Sequence, residues 1–367
     1  MKRRTFFKYG AAGALGVTLG DASIAETEKI ALWKELAAFY PKPKSGSMPV
    51  KELGKTGIKV SQLTFGSHIR AEMRGYDHQR EYMIHEAHDL GVRVFDVYDQ
   101  EEGVSTGGSY QYEPLAKQIK PFKNDALISI SFRPYDNRTD DQELERDLRI
   151  FDRDAIDMVR ILRKPDDPIW GKLIKWKEQG KVRAFGAPIH DMEHIDMLVG
   201  KVPVDYILFP YNFYHNICWL EEKEDDFESV PERLRRNGIG VAVMKPFAGD
   251  YLVTPFIEVA RTLRKAGEID FCQAAIRYVL NSKVDPDTMF VGMYNLYHLY
   301  ENVAAYYNPA MSKEERQFLD DLRKKIVRNT KAWLPEHYRW LDEWAPKGLY
   351  LRQALKRCDE ERKYFAY

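Results

Sequence analysis

Four side chains stand out as candidate acids and bases: His68, Asp96, Tyr98 and His190. Asp96 and Tyr98 fall at the end of the stretch Gly91-Val92-Arg93-Val94-Phe95-Asp96-Val97-Tyr98-Asp99. The run before it, His78 to Leu90, carries Met83, Ile84, Ala87 and Leu90 at helical spacing,. Gly91 suits the C-cap of that helix, and Val92, Val94 and Phe95 read as a short buried strand that turns polar at Asp96,. A carboxylate and a phenol at a strand's C-terminal end stand where barrel enzymes hold their active sites. His68 and His190 follow the first and fifth strand candidates, and an imidazole there can take or give a proton near neutrality,. A phenol with an ordinary pKa of about 10 needs a neighbouring cation to act as an acid at neutral pH. Arg133, Arg163 and Lys164, after the third and fourth strand candidates, are the expected cations. His68, Asp96, Asp99, Glu101, His190 and His215 suit zinc or manganese by type, but no short spacing ties them together, and no metal site is expected,.

The elements that must position these residues alternate. Strand candidates are Leu63–Phe65, Val92–Phe95, Ala126–Ile130, Met158–Leu162, Arg183–Gly186, Tyr206–Phe209, Val241–Met244 and Met289–Val291,. Helical patterns lie between most of them, among them Asp140–Phe151, Ile169–Gln179, Glu193–Val199, Ser229–Asn237 and Pro255–Ala266. Eight such repeats predict an α/β fold, a closed (β/α)8 TIM barrel, and no GxGxxG follows the first strand to favour an open sheet. Lys51 to Gly66 reads as a hairpin running into the first barrel strand,. After the barrel, Ser312 with Glu315 three residues on forms a capping-box pattern,. It opens a C-terminal helical extension rich in charges and aromatics, residues 307–367, expected to pack on the barrel.

The N-terminus reads as an address. Lys2-Arg3-Arg4-Thr5-Phe6-Phe7-Lys8 has the form of a twin-arginine signal, and a Gly/Ala-rich h-region runs from Tyr9 to Leu19,. Cleavage is expected after Ala25, so that residues 1–25 are the signal, 26–50 a linker and 51–306 the barrel. The expected location is periplasmic or extracellular, with the twin-arginine export machinery as a partner and no stable membrane anchor after cleavage. The chain has 56 basic and 56 acidic residues, a balance that excludes a nucleic-acid binder built on net charge,. Cys218, Cys272 and Cys358 make no metal spacing, and their odd number leaves at least one free thiol, with one disulfide open,.

Several segments, in order, resemble the aldo-keto reductase family. Leu53-Gly54-Lys55-Thr56-Gly57-Ile58-Lys59-Val60-Ser61 is similar to its opening hairpin, and Gly91–Asp96 to its "GINFFDTA" strand. Gly180–Gly186 is similar to "GKIRALGVS", Phe209-Pro210-Tyr211-Asn212 to "QVPYN", and Gly240–Gly249 to "GVGVIAMKPLAGG". Val291–Asn295 through Glu301-Asn302-Val303 resembles the last strand and helix. The resemblance implies a (β/α)8 barrel that transfers a hydride between NADPH and a carbonyl, using an Asp, a Tyr acid, a Lys and a His. Asp96 stands at the family's Asp. The Tyr position falls near Glu101, with Tyr98 and Tyr110 the nearest phenols, while Ser131 and Leu162 stand at the Lys and the His. On the nucleotide side, Lys245, Pro246, Phe247 and Gly249 are expected to cradle a pyrophosphate, and Glu301 and Asn302 to contact adenine,.

An exported protein does not meet a pool of reduced nicotinamide cofactor. The leading expectation is therefore an aldo/keto-reductase-like oxidoreductase carrying tightly bound NADP(H) and acting on a small carbonyl or sugar-like substrate. A cofactor-independent lyase, isomerase or hydrolase on the same barrel, and a binding protein on a catalytically dead scaffold, are the alternatives. Tyr98, Tyr110, Tyr112, Tyr211, Phe213, Tyr214 and Trp219 are candidate aromatic platforms for a ring, or else core residues,.

Overall fold

The computed structural model describes residues 42–43, 46–66, 77–98, 111–132, 138–189, 193–213, 230–247, 269–293 and 295–333. His68, His190, Gly249, Arg133, Cys218, Cys358, the signal segment 1–25 and the helix expected at 255–266 lie outside the described residues. So do Tyr110, Tyr214, Trp219 and the tail beyond residue 333.

An antiparallel hairpin, β1 (Val50–Glu52) and β2 (Lys59–Ser61), leads the chain. Eight parallel strands then close into a barrel: β3 (Leu63–Gly66), β4 (Val94–Tyr98), β5 (Leu127–Ser131), β6 (Ile156–Arg160), β7 (Val182–Pro188), β8 (Tyr206–Pro210), β9 (Gly240–Met244) and β10 (Thr288–Gly292). Closure comes from β10 pairing back onto β3, with Met289 opposite Leu63 and Gly292 opposite Gly66. The described helices of the wall are α1 (Asp77–Asp89), α2 (Tyr112–Ile119), α3 (Asp140–Phe151), α4 (Ile169–Glu178), α5 (Glu193–Leu198), α6 (Val230–Arg236), α7 (Phe271–Leu280) and α8 (Leu296–Tyr307), followed by α9 (Lys313–Trp333). This is the (β/α)8 architecture that the alternating pattern predicts.

Local signals start and stop these elements as the residue types require. Thr139 Oγ1 accepts the Gln142 amide at 3.3 Å and Gln142 Oε1 accepts the Thr139 amide at 2.9 Å, a capping box that opens α3,. Ser312 and Glu315 make the same reciprocal pair ahead of α9, at 2.9 and 3.0 Å. Glu315 also binds Arg277 of α7, and Leu319 is buried, so the start of α9 is packed on the barrel wall. Gly91 ends α1 in the left-handed region (φ 89°), where a Cβ would also come within 2.8 Å of the Met48 side chain,.

Two apolar layers result from the period of two along each strand. Outward residues such as Phe65, Phe95, Ile128, Val159 and Phe209 pack under the helices. Inward residues Val94, Met158, Ala184, Tyr206, Leu208, Ala242 and Phe290 fill the barrel, and Leu53, Ile58 and Val60 of the hairpin plug its N-terminal end. Near that end three aspartates each receive an amide of the preceding strand: Asp157 from Ile128 at 2.8 Å, Asp205 from Phe185 at 2.9 Å, and Asp287 from Val241 at 2.9 Å. Burial pushes the Asp287 carboxyl above its ordinary range, against the pull of the Val241 and Gly54 amides,.

Two strands sit two or three residues away from where apolar content alone puts them. The second barrel strand runs from Val94 to Tyr98 rather than ending before Asp96, because the ladder to β5 continues through Asp96–Ser129 and Tyr98–Ser131. The fourth is Ile156–Arg160 rather than Met158–Leu162, paired through Met158–Ala184 and Arg160–Gly186. In both, a charged residue is carried inside the barrel.

Candidate active site

Asp96 is therefore not at a strand tip. It lies within β4, 3% exposed, and Arg160, the last residue of β6, is 1% exposed beside it. Arg160 Nη2 stands 2.7 Å from Asp96 Oδ1. The guanidinium carbon also lies 5.4 Å from the ring centre of Phe290, an inward residue of β10,. Asp96, Arg160 and Phe290 come from the second, fourth and eighth barrel strands, so they meet across the interior as alternate strands do in a layered barrel core,.

Two hydroxyls complete the cluster. Ser129 stands opposite Asp96 on β5 and is fully buried. Tyr206 of β8 reaches into the same interior, and its hydroxyl and that of Ser129 are buried with no hydrogen-bond partner among the described residues. Gly186 makes that reach feasible: a Cβ there would sit 2.7 Å from Tyr206 Cδ1 and 2.5 Å from its carbonyl oxygen. Burial pushes the Asp96 carboxyl above its ordinary range, while the Arg160 charge pulls it down,. Burial likewise pushes the Tyr206 phenol up, beyond any role as an acid near neutrality,.

Smaller residues surround this pair toward the strand ends. Gly66 is in register with Asp96, and Ser131 with both Arg160 and Tyr98. Gly66 and Ser131 are half-buried, as is Leu162, two residues past the end of β6. Of Tyr98 only the backbone is described. Two of the cations expected from sequence are elsewhere: Arg163 is exposed, 3.8 Å from Asp167, and donates to the Leu162 carbonyl, and Lys164 is exposed. The cation that faces Asp96 is Arg160. Tyr112, Tyr211 and Phe213 are core residues: Tyr112 donates to the Ser131 carbonyl at 3.3 Å, Tyr211 stacks on Tyr278 at 6.1 Å, and Phe213 meets Phe271 edge-on at 5.4 Å.

A second group of candidate residues lies at the ends of β9 and β10. Lys245 follows β9 in the left-handed region, φ 58°, a conformation that costs a non-glycine residue on the order of 1–3 kcal/mol,. Asn212, fully buried after β8, donates from Nδ2 to the Lys245 carbonyl at 3.0 Å and so holds the turn. Pro246 and Phe247 are buried behind it, with Phe247 6.3 Å from Phe271. Glu301 and Asn302 sit on α8, whose N-cap Asn295 accepts the His298 amide at 2.9 Å. Both are buried, and Asn302 Nδ2 has no hydrogen-bond partner among the described residues. Such a buried orphan donor costs free energy unless something accepts from it.

Asp270, Cys272 and Glu301 bring one ligand atom each within 4.8 Å of one another. The Asp270 carboxylate is engaged as the N-cap of α7, accepting the Gln273 amide at 3.0 Å and its side chain at 3.2 Å. Cys272 is buried. No described helix is long and apolar enough to cross a membrane.

The sequence profile of the Aldo/keto reductase family matches residues 74–324. No curated protein matches the chain. Among solved structures, aldo-keto reductase AKR11C1 from Bacillus halodurans in its holo form aligns with a TM-score of 0.57 at 18% identity, over 75% of this chain and 96% of that one. The thermostable aldo-keto reductase Tm1743, in complex with the inhibitor epalrestat, aligns at 0.54 with 22% identity, over 75% of this chain and 100% of that one. At these identities the two structures speak for the fold.

Proposed function

The chain belongs to the aldo/keto reductase family, and on that premise we propose that it is an exported oxidoreductase that holds NADP(H) tightly and acts on a small carbonyl or sugar-like compound. The observation that carries this reading is the strained turn at Lys245, fixed by Asn212 at the end of β9. A left-handed lysine persists only where its surroundings over-determine it, and such strain gathers at ligand sites. The buried Asn302 donor without a partner fits the same reading, since an adenine ring nitrogen is an acceptor,. Lys245, Pro246 and Phe247 would hold the phosphates, with Gly249 following, and Glu301 and Asn302 the adenine. When bound, the nicotinamide supplies or accepts the hydride.

This chain's own residues would bind and orient. By the resemblance Asp96 stands at the family's catalytic aspartate, yet it is 3% exposed and paired with Arg160. A carboxylate shut away from solvent against a guanidinium is not open to a substrate proton, which weighs against the cofactor-independent lyase, isomerase or hydrolase reading. Divergence at the other catalytic positions, Ser131 and Leu162, belongs to this proposal, as do His68, Tyr98 and His190 as donors at the mouth. Export through the twin-arginine route would let the cofactor travel inside the folded protein. The ultraviolet–visible spectrum of protein purified from the exported fraction tests the reading: a nicotinamide or adenine band that persists through gel filtration is expected. A clean protein spectrum that NADP(H) does not alter would remove the cofactor and favour a binding protein.

A further inference from the structure

A TIM-barrel interior is usually filled by branched apolar residues, and taking an ion pair out of water costs several kcal/mol per ion before the attraction repays it. Here an arginine and an aspartate are shut inside, with hydroxyls from two further strands added. The carboxylate faces the guanidinium at 2.7 Å. The guanidinium has five donors in a rigid fork, and Asp96 holds it in place over the Phe290 ring. Its strand neighbour is Ser131, whose own neighbour is Tyr98, so the backbone sets Arg160 next to the residues at the barrel mouth.

We propose that Arg160 is the positioning cation of this site: anchored by Asp96, it supplies from beneath the mouth the positive field that favours negative charge on a substrate oxygen. Fixed charges in a water-poor site act strongly and need no reorganisation as charge develops. A guanidinium does not lose its proton in a protein, so this field does not change with pH. A lysine in the same place would titrate. Arg160 acts through the field and hands over no proton. The proposal deepens the oxidoreductase reading and rests on it for turnover, but its electrostatic content is measurable without turnover.

The experiment has two arms on wild type, Arg160→Lys, Arg160→Met and the paired Asp96→Asn/Arg160→Met variant. In the first, benzoate serves as an anionic probe of the mouth, and its affinity is measured between pH 6 and 10. Wild type should bind with no pH dependence from this site, Arg160→Met about tenfold or more weakly, and Arg160→Lys should lose affinity only in the alkaline range. In the second, NADPH-dependent reduction of 4-nitrobenzaldehyde is followed over the same range. Arg160→Met should lower kcat with KM little changed, and Arg160→Lys should gain an alkaline limb that wild type lacks. Benzoate that fails to bind wild type, or binds all variants alike at every pH, overturns the proposal. Should wild type reduce no aldehyde while benzoate behaves as expected, Arg160 stands and the oxidoreductase reading falls. Where Arg160→Met does not fold, the paired variant and Arg160→Lys decide: an Arg160→Lys pH profile identical to wild type counts against the idea.

Discussion

Asp96 and Arg160 are bound to each other at 2.7 Å inside the barrel, although they stand on strands that are not neighbours. β5 lies between them and contributes Ser129 to the same cluster. The pair thus ties the second strand to the fourth across the interior. Removing one partner of a buried ion pair leaves the other charge stranded, which typically costs about 3–5 kcal/mol. Arg160→Met should fall in that range by urea unfolding, and Asp96→Asn below it, because burial already disfavours the Asp96 charge,. The double variant should lose less than the sum of the two, by on the order of 1–3 kcal/mol. Strict additivity would show that the contact contributes nothing as a pair.

The same carboxyl gives a pH test. Burial raises its pKa above the ordinary 3.8 despite Arg160. The folded state then binds a proton more readily than the unfolded state in the window above 3.8, and the Asp96 contribution to stability falls as pH rises through it,. Asp96→Asn lacks this titration, and Arg160 stays charged in both proteins. The stability difference, wild type minus Asp96→Asn, should therefore shrink as pH rises from about 4 and then level off. A difference that grows over this range would mean that the Arg160 attraction outweighs burial.

The barrel was readable from the alternation of apolar strands and helical patterns, because each strand pairs with its sequence neighbour and needs no long-range information. The capping boxes at Thr139 and Ser312 were readable for the same reason: their bonds span three residues. The Asp96–Arg160 pair was hidden by strand bounds. Apolar content moved β6 two residues late, so Arg160 vanished into the middle of a run and the loop cations Arg163 and Lys164 took its place. Counting by twos from Met158, an inward residue, would have marked Arg160 as inward too,. Tyr206 was less accessible, since its reach depends on the absent side chain at Gly186 on another strand. The left-handed turn at Lys245 leaves no trace in residue type, because lysine seldom takes it,.

The export reading rests on Arg3-Arg4-Thr5-Phe6-Phe7-Lys8 ahead of the Gly/Ala run,. Changing Arg3 and Arg4 together to Lys should hold the uncleaved precursor in the cytoplasm, seen by fractionation and by the intact mass. Export that continues unchanged would remove the twin-arginine assignment and, with it, the need for a travelling cofactor.

The turn at Lys245 separates stability from binding in one set of variants. Lysine pays there for a left-handed backbone that glycine adopts freely,. Lys245→Gly should therefore raise stability or leave it unchanged, by up to about 1 kcal/mol. The same change removes a charge-assisted phosphate contact of roughly 1.5–3 kcal/mol and should weaken NADP(H) at least tenfold. Lys245→Ala removes the charge while the strain stays, so it should bind as weakly as Lys245→Gly but melt lower. Asn212→Ala keeps the lysine and cuts the bond that fixes its carbonyl. It should lose stability of about 1 kcal/mol and part of the affinity, because the turn is no longer held ready. Calorimetric titration with NADPH and NADP beside melting curves reads both quantities. Equal nucleotide affinity in all four proteins would take Lys245 out of the site. A variant series in which affinity follows melting temperature would show instead that the turn matters only for folding.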